Sequence, residues 1–508
     1  MMEEPILELN DIQGNIIPGF KKDCQHFLFF QIAEPGLAKN WLKSLVPKLS
    51  TANEVLKSHT LWKEMRMKIG SDPDNLDFLF LNCAISAAGL TKLGITGTEQ
   101  FEDSGFKLGM EKRAGEIGDP GDGTMAPGAA ETWLFGSKSN VADIVLILAT
   151  DDESWAKQEE TKLIDQALNS GLNLIHMDSG KVRPGKFAGH EHFGFRDGMS
   201  FPAIRGRVSE AADDFIESRN WPAGAEFDIY RGRYASPGRQ LVWPGHYIFG
   251  YPRQLKDEPE LPRDNSAPPG PAWAKNGSFM VYRRLRQDVP KFHQFLKDGA
   301  KTLQNSGFPS DLTPAKLGAL LVGRWPSGWP IMRGDKDQGA DQPGENHFGF
   351  SEQTTAVLPD DVHPLNQADP DGITCPFSSH IRKVQPRDDS TDQGSMERTF
   401  QKLLIRRGIT YGPEMDGEND NADRGLLFVS YQSSIKDQFE FIMNDWVNDQ
   451  NKPKSGAGPD PILAGGKDFK VYLKNKEIVC PLQVPGQWVT ATGGGYFFSP
   501  GISFFLNL

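Results

Sequence analysis

Residues 371–387 read DGITCPFSSHIRKVQPR and place a single histidine, His380, after two serines and ahead of three cations. Pro376 and Pro386 restrict the backbone on both sides of this histidine. A histidine held in this way, with arginines close behind it, is suited to bind a metal whose cofactor carries carboxylates. Taken alone, a histidine in a loop bounded by prolines is more often a surface or capping residue, and that alternative stays open at this point.

The composition of the chain indicates an acidic, folded protein. With 508 residues the chain is too long for one ordinary core, so two domains are expected. Hydrophobic residues make up 38% of the sequence, which is enough for packed cores. A formal net charge of -12 argues against general binding to nucleic acid or to an anionic membrane. The four cysteines are scattered without CxxC spacing, so a zinc site or a disulfide scaffold is a weak interpretation.

The N-terminal residues MMEEPILELND are acidic and contain no apolar stretch of signal-peptide length. No segment approaches the roughly 18 consecutive apolar residues of a membrane-spanning helix. A cytoplasmic location is therefore the first expectation, and secretion by another route is the alternative.

Strand and helix patterns alternate in both halves of the chain. In the first half we predict strands at 26–32, 77–85, 141–149 and 173–178 and helices at 37–46, 87–93 and 153–170. In the second half we predict strands at 278–285, 399–406 and 425–431 and helices at 288–303 and 435–448. This order is typical of ferredoxin-like α+β domains, in which helices cover one face of an antiparallel sheet.

A segment dense in proline and charge, residues 257–277, is the best candidate for a linker. It divides the chain into a predicted N-terminal domain, 1–256, and a predicted C-terminal domain, 278–508. Residues 105–130 are rich in Gly and Asp, which favours a surface insertion. The last residues, GISFFLNL, indicate the end of a strand.

Residues 190–202 read HEHFGFRDGMSFP and present one carboxylate, Asp197, among glycines. Gly194 and Gly198 allow the backbone to approach a bulky, flat group closely. A desolvated aspartate within hydrogen-bond reach of a substrate can relay a proton. The alternative is a turn aspartate that bonds to its own backbone, and the loop taken alone favours that alternative.

Residues 403–413 read LLIRRGITYGP and place two arginines at the end of an apolar run. Because side chains alternate along a strand, one of Arg406 and Arg407 must face inward. A buried guanidinium cannot be neutralised and therefore needs an anion or a carboxylate. Pairing with a structural Asp or Glu is an alternative of equal weight.

Together these motifs resemble those of the dye-decolorizing peroxidases, a family of haem peroxidases. DIQGNIIPGF at 11–20 resembles the N-terminal signature of the family, and GFRDG resembles its distal aspartate motif. CPFSSHIRKVQPR is similar to the proximal histidine motif, and IRRGITYGP to the distal arginine segment. RGLLFVSYQSSI at 424–435 and GGGYFFSPGI at 493–502 resemble strands of the haem wall. Any one motif is a weak signal, but six in the family's order form a specific one.

The resemblance implies two ferredoxin-like α+β domains of the dimeric α+β barrel type, with antiparallel sheets and peripheral helices. It implies haem b (iron protoporphyrin IX), held mainly by the C-terminal domain. Carried over onto this sequence, His380 becomes the iron ligand, Asp197 the distal acid–base residue and Arg406 the distal cation. Arg407 competes with Arg406, but Arg406 holds the matching position two residues before Gly408.

The resemblance also implies residues around the cofactor. Arg387, seven residues after the histidine, matches the arginine that meets a haem propionate. Leu426 and Phe428 lie two apart on a strand, so they point the same way and form an apolar distal wall. In the segment GPDPILAG, Asp460 matches the carboxylate that accepts the other ring N–H of His380.

The implied activity is the reduction of hydrogen peroxide coupled to one-electron oxidation of dyes, phenols or other bulky aromatic reductants. Family members also oxidise large substrates through surface Trp or Tyr residues. Trp446 and Tyr431 are among many candidates for this role, and the sequence does not choose between them. The alternative is a haem-binding or iron-release protein, similar to a deferrochelatase, on the same fold. Such a carrier needs neither Asp197 nor Arg406. No nucleic-acid or membrane partner is expected, and the oligomeric state is not indicated.

Overall fold

The strand Cys24–Ile32 (β1) reads CQHFLFFQI and is buried on both faces except at Gln31. It pairs antiparallel with a neighbouring strand on each side. A continuous apolar run of this kind is typical of a strand in the middle of a sheet that is covered on both faces. The whole fold is built around such strands.

A computed structural model describes residues 4–508 except 72, 74–75, 77, 122, 220–232, 256–257, 264–269, 340–345, 353–365, 390, 418–419, 453, 465–468, 475–477 and 486–487. The further strands are β2 Phe80–Ile85, β3 Ile144–Thr150, β4 Leu172–Lys181, β5 Ala203–Ile204, β6 Tyr234–Ser236, β7 Arg239–Val242, β8 Arg253–Leu255, β9 Glu258–Arg263, β10 Ser278–Gln287, β11 Ile405–Arg406, β12 Ile409–Tyr411, β13 Gly425–Gln432, β14 Phe469–Lys474, β15 Val479–Val484 and β16 Val489–Ser499.

The α-helices within these described ranges are α1 Pro35–Leu45, α2 Ala52–Ile69, α3 Ala87–Lys92, α4 Ser104–Leu108, α5 Met110–Arg113, α6 Glu153–Leu168, α7 Val289–Asn305, α8 Pro314–Val322, α9 His380–Val384, α10 Met396–Phe400 and α11 Ile502–Leu506. Two consecutive segments, Ile435–Glu440 and Ile442–Val447, are π-helical. None of the helices in the described ranges is long and apolar enough to cross a bilayer.

One sheet combines strands from both halves of the chain. Its order is β11-β13-β10-β16-β2-β3-β1-β4, and β12 pairs with β13. The halves meet where Phe498 of β16 pairs with Ile85 of β2. At the far edges, the Thr410 hydroxyl of β12 donates to the carbonyl of Lys181 in β4 (2.6 Å). The two ends of the sheet therefore approach each other, and the predicted α+β class with antiparallel sheets and peripheral helices is confirmed.

The cores of the two halves are continuous. The Phe101 and Phe106 rings of the first half contact the Phe279 ring of the second, with centroids 5.2 and 4.8 Å apart. Within the predicted linker, residues 257 and 264–269 lie outside the described residues, and Glu258–Arg263 form β9, which pairs with β8. The domain boundaries at 256 and 278 stay a prediction.

The expectation of a surface insertion at 105–130 was wrong. Helices α4 and α5 lie in this part of the chain, and Phe106 and Met110 on them are buried. The Asp103 carboxylate caps α4 by accepting the N–H of Phe106 (2.9 Å). Because glycines separate the apolar residues, the sequence shows no helical period there.

Two other local expectations were also wrong. The predicted strand 399–406 begins as helix α10, since the Ser395 hydroxyl caps it by accepting the N–H of Arg398 (3.3 Å), and only Ile405–Arg406 are in a strand. The terminal residues GISFFLNL contain helix α11 rather than the end of a strand. Helix α2 was not predicted, although Thr51 and Glu54 form a capping box at its start.

Candidate active site

A largely apolar cavity lies between the helix that begins at His380 and the face of the sheet formed by β10 and β13. Leu426 and Phe428 alternate on β13, and both line the cavity. Ile442 and Met443 of the second π-helical segment also line it. The cavity therefore presents apolar side chains from both the sheet and the helices.

His380, at the start of α9, is held by a buried carboxylate. Its Nδ1 atom lies 2.7 Å from Oδ2 of Asp460, whose side chain is fully enclosed. The other oxygen of Asp460 accepts the N–H groups of Ile462 (2.8 Å) and Leu463 (3.1 Å). Because Nδ1 is the donor in this arrangement, Nε2 keeps its lone pair for a ligand in the cavity.

Lys383 fixes the helix that carries this histidine. Its buried ammonium donates to the carbonyls of Trp446 (2.7 Å) and Asp449 (2.8 Å). Burial lowers the pKa of Lys383 to about 8. Trp446 and Tyr431, two of the candidates for surface oxidation, are both fully buried and therefore do not lie at the surface.

Asp197 reaches the cavity from the first half of the chain. Its N–H donates to the carbonyl of Gly189 (2.9 Å), and its Oδ1 atom accepts from Arg406 Nη1 (2.9 Å) and from the N–H of Gly198 (2.6 Å). About a third of each side chain of this ion pair is exposed (34% and 32%), and both line the cavity. Gly198 has a φ of 72°, a conformation that glycine adopts without strain.

The carboxyl group of Asp197 is held in its charged form. Removal from bulk water raises its pKa, but the charge of Arg406, the N–H of Gly198 and the charge of His380 outweigh that effect. The net result is a pKa below the usual value for aspartate. Asp197 therefore carries a negative charge near neutral pH and can accept a proton.

Arg406 and Arg407 point in different directions. The Arg407 guanidinium donates to the carbonyls of Asn15 and Ile16, both at 3.0 Å, and burial lowers its pKa to about 10. Arg406 instead lines the cavity and pairs with Asp197. This geometry favours Arg406 over Arg407 for a role in the cavity, and the carboxylate that it needs is Asp197.

Arg387 lies behind the cavity wall rather than on it. Its guanidinium donates to the carbonyls of Gly238 and Phe348 (both 3.2 Å) and to the Ser200 hydroxyl (3.2 Å). Arg324, which sequence reasoning missed, lines the cavity and donates to the same hydroxyl (2.6 Å). A carboxylate that enters the cavity beside Ser200 would meet Arg324 before Arg387. Contact between Arg387 and a propionate stays a prediction.

Another charged pair on the wall was also missed. Arg283 of β10 donates through Nη2 to both oxygens of Asp119, at 2.6 and 2.7 Å. Burial raises the pKa of Asp119 even though Arg283 opposes the rise. The sequence offered one indication that Arg283 faces the cavity. Side chains alternate along β10, so Arg283 lies on the same face as Leu285.

The donor set of the cavity fits a haem. It offers one imidazole nitrogen, apolar walls on two sides, and a guanidinium and a hydroxyl at one edge (Arg324 and Ser200). An iron porphyrin needs an axial ligand, apolar contact for its ring and hydrogen bonds for its two carboxylates. An antiparallel α+β protein with such a cavity, and with a carboxylate–guanidinium pair facing it, has the architecture of a haem peroxidase.

Comparison with known proteins identifies the family. The model of the DyP dimeric alpha+beta barrel domain matches residues 11–184, and that of the Dyp-type peroxidase C-terminal domain matches 340–455. Dye-decolorizing peroxidase msp1 of Mycetinis scorodonius is 33% identical over 98% of this chain and 86% of that protein. The chain belongs to the dye-decolorizing peroxidase family, whose members are haem enzymes.

Two solved structures are similar over nearly the whole chain. An ancestral D-type dye decolorizing peroxidase has a TM-score of 0.77 and 31% identity, and the match covers 99% of both chains. A dye-decolorizing peroxidase in complex with 2,6-dimethoxyphenol has a TM-score of 0.72 and 29% identity, with 98% of this chain and 99% of that chain covered. These matches confirm the predicted fold and the peroxidase activity.

Proposed function

We propose that this peroxidase binds haem b through His380, activates hydrogen peroxide with Asp197 and Arg406, and oxidises dyes, phenols or other bulky aromatic reductants in one-electron steps. The observation that carries this proposal is the ion pair of Asp197 and Arg406, which faces the same cavity as His380. When bound, haem would supply the iron centre at which peroxide is reduced and through which single electrons pass.

His380 and its partner would hold the cofactor. Nε2 of His380 is the ligand atom, and Asp460 keeps the imidazole in one tautomer and one orientation. Partial negative charge transferred from Asp460 raises the basicity of the imidazole. Arg324 and Ser200 would bind a propionate at the edge of the cavity, and Leu426 and Phe428 would cover one face of the ring.

Asp197 and Arg406 would divide the chemistry of peroxide between them. Asp197, which is ionised at neutral pH, takes the proton from one peroxide oxygen and returns it to the other, so that water leaves. Arg406 stabilises the negative charge that develops as the O–O bond breaks. Their mutual hydrogen bond of 2.9 Å keeps both groups in place before peroxide arrives.

The reducing substrate is the next part of the proposal. The relative in complex with 2,6-dimethoxyphenol supports a phenol as one class of reductant. The apolar walls of the cavity are assigned to the haem ring, so the choice of reductant rests on the likeness to this relative.

The proposal is tested by the variant Arg406→Leu in the haem-loaded protein. We expect haem binding to persist and the rate of reaction with peroxide to fall by roughly 10²–10³, since preorganised charge stabilisation is lost. Stopped-flow absorbance at the Soret band measures both properties. Arg66→Leu, on the exposed end of α2, is the control and should react like the wild type.

Near-normal peroxide kinetics in Arg406→Leu would rule out the role assigned to this residue. The same experiment addresses the alternative of a haem carrier or iron-release protein. A carrier should react slowly with peroxide already as the wild type, because it needs neither Asp197 nor Arg406.

A further inference from the structure

The loop that carries Asp197 is wound around a second carboxylate, that of Glu191. Its Oε1 atom accepts the N–H of Phe195 and its Oε2 atom that of Phe193, both at 2.8 Å. The backbone N–H of Glu191 donates to the carbonyl of Phe195 (3.0 Å), and its carbonyl accepts the N–H of Gly194 (2.9 Å). One side chain thus closes five residues into a turn, and Asp197 follows two residues later.

Glu191 also joins this turn to the second half of the chain. Gln287, at the end of β10, donates its side-chain amide to Oε2 of Glu191. The N–H of Arg196 donates to the carbonyl of Pro326 (2.9 Å). This bond fixes the residue between the turn and Asp197. The direction of the Asp197 side chain therefore depends on contacts between the two halves, and Glu191 accepts one of them.

The two carboxylates also interact through their charges. Glu191 and Asp197 both line the cavity, and the protein that surrounds them weakens screening by solvent. Desolvation is the main cause that raises the pKa of Glu191, and the negative charge of Asp197 adds to the rise. The pKa of Glu191 thus lies above its usual value and that of Asp197 below its own, so Glu191 loses its charge first as the pH falls. What Glu191 contributes where Asp197 titrates is therefore its hydrogen bonds to the loop and not a negative charge.

We propose that Glu191 is a positioning residue for Asp197, because it fixes the backbone of the loop that carries Asp197. The proposal rests on the proposed function of Asp197 as the proton carrier. Glu191 itself has no direct role in the reaction, because its two oxygens are occupied by the backbone of the loop and by Gln287.

Other titratable groups face this pair of carboxylates. Arg183 donates to the carbonyl of Glu191 (2.6 Å), and His192 bonds to the carbonyl of Tyr411 (2.9 Å). Burial lowers the pKa of His192 to about 4, so it stays neutral over most of the working range. The remaining groups are His293 on α7, Arg406 on β11 and His380 on α9.

Two variants test the proposal in the haem-loaded protein. Glu191→Gln keeps the size of the side chain but replaces one acceptor oxygen with an NH2 group. Glu191→Asp keeps both oxygens but is too short to reach both N–H groups. The control is Glu210→Gln, which changes an exposed glutamate outside the loop. The measurements are the pH dependence of the peroxide rate and the amide hydrogen exchange of residues 190–198.

We expect faster exchange of the loop amides in both Glu191 variants and a peroxide rate that falls by about 10- to 100-fold, because Asp197 is misplaced. In both variants the acid limb of the rate profile should move to higher pH, because a displaced Asp197 loses part of the contact with Arg406 that lowers its pKa. A purely structural role would lower the amount of folded protein without moving the limb.

Unchanged exchange and an unchanged acid limb in Glu191→Gln would overturn the proposal. If Glu191→Gln does not accumulate as haem-loaded protein, the variant Gln287→Met tests the proposal instead. It removes the amide group that donates to the Glu191 carboxylate and leaves Glu191 itself in place. Faster loop exchange in Gln287→Met supports the proposal, and wild-type exchange overturns it. A wild-type peroxide rate in Asp197→Asn would contradict the proposed function of Asp197 and not the role of Glu191. The hydrogen-exchange data would still test whether Glu191 stabilises the loop.

Discussion

Asp460 and Asp197 are the two carboxylates next to the principal groups of the cavity, and their surroundings differ. Asp460 has no exposed surface, and its oxygens together accept from His380 and from two backbone N–H groups. Asp197 is 34% exposed towards the cavity, and both of its described hydrogen bonds end on Oδ1. The comparison teaches that an aspartate with both oxygens bonded orients a neighbour, whereas one with an oxygen facing the cavity can move a proton.

The largest expected effect lies on the Asp460 side of this comparison. His380→Ala removes the proposed ligand atom that Asp460 orients, so the purified protein should lose most of its haem. The ratio of Soret to protein absorbance after reconstitution measures the loss. His190→Ala, a partly exposed histidine of the Asp197 loop, serves as the control and should keep its haem. Full haem content in His380→Ala would contradict the ligand assignment.

On the other side, Asp197→Asn keeps the shape of the side chain but cannot take a proton. We expect haem binding to remain and the peroxide rate to fall by roughly 10²–10⁴, the range for loss of a general acid–base group. Stopped-flow mixing with hydrogen peroxide measures the rate. A peroxide rate within a factor of about two of the wild type would mean that Arg406, and not Asp197, dominates the reaction with peroxide. The proposed functional difference between Asp197 and Asp460 would then be contradicted.

Asp460→Asn tests whether the enclosed aspartate acts only by orienting its neighbour. The amide can still accept from His380 but has no negative charge, so affinity for haem should fall by about 10- to 100-fold, as for other partners of metal ligands. Titration of the apoprotein with haem measures the affinity. The pH profile of the peroxide reaction should keep its shape, and a shifted acid limb would show that Asp460 takes part in proton transfer.

The smallest expected effect is a shift in the pH dependence of the peroxide rate in Arg406→Leu. The pKa of Asp197 lies below its usual value, so the wild-type rate should fall only when the pH drops through that low value. In Arg406→Leu the effect of burial is no longer outweighed, and the acid limb should move upward by about 1–3 pH units. The residual rate between pH 3 and 8 measures this shift. A limb at the wild-type position would mean that Arg406 does not set the charge of Asp197.

Sequence patterns predicted the strands that are long, apolar and buried, such as β1, β3, β10 and β13. Burial on both faces requires apolar residues at successive positions, and such a run is visible in the sequence. They failed where apolar residues are isolated by glycine, as at Phe106 and Met110, and where a serine cap starts a short helix, as at Ser395. The extent of the central strands could therefore be predicted, and that of the short helices could not.

The site was predictable only as far as the family motifs extend. Asp460 lies 80 residues from His380, and Arg406 lies 209 residues from Asp197, so no local pattern links the members of either pair. Arg324 and Lys383 were missed for a related reason. Their importance comes from what the fold places beside them, and a cation in the sequence carries no sign of whether its partners are water or buried carbonyl groups.

The bond of Arg407 to Asn15 and Ile16 has a consequence for shortened forms of the protein. These carbonyls belong to the N-terminal segment, and they are what stabilises a buried charge directly beside Arg406. Deletion of the first 20 residues would remove both of these acceptors and leave the enclosed guanidinium with the carbonyl of Arg406 (3.0 Å) as its remaining described acceptor. Trimming of the N-terminus is therefore not a neutral change for an engineer, since a cut far away in sequence would disturb the neighbour of a residue that lines the cavity.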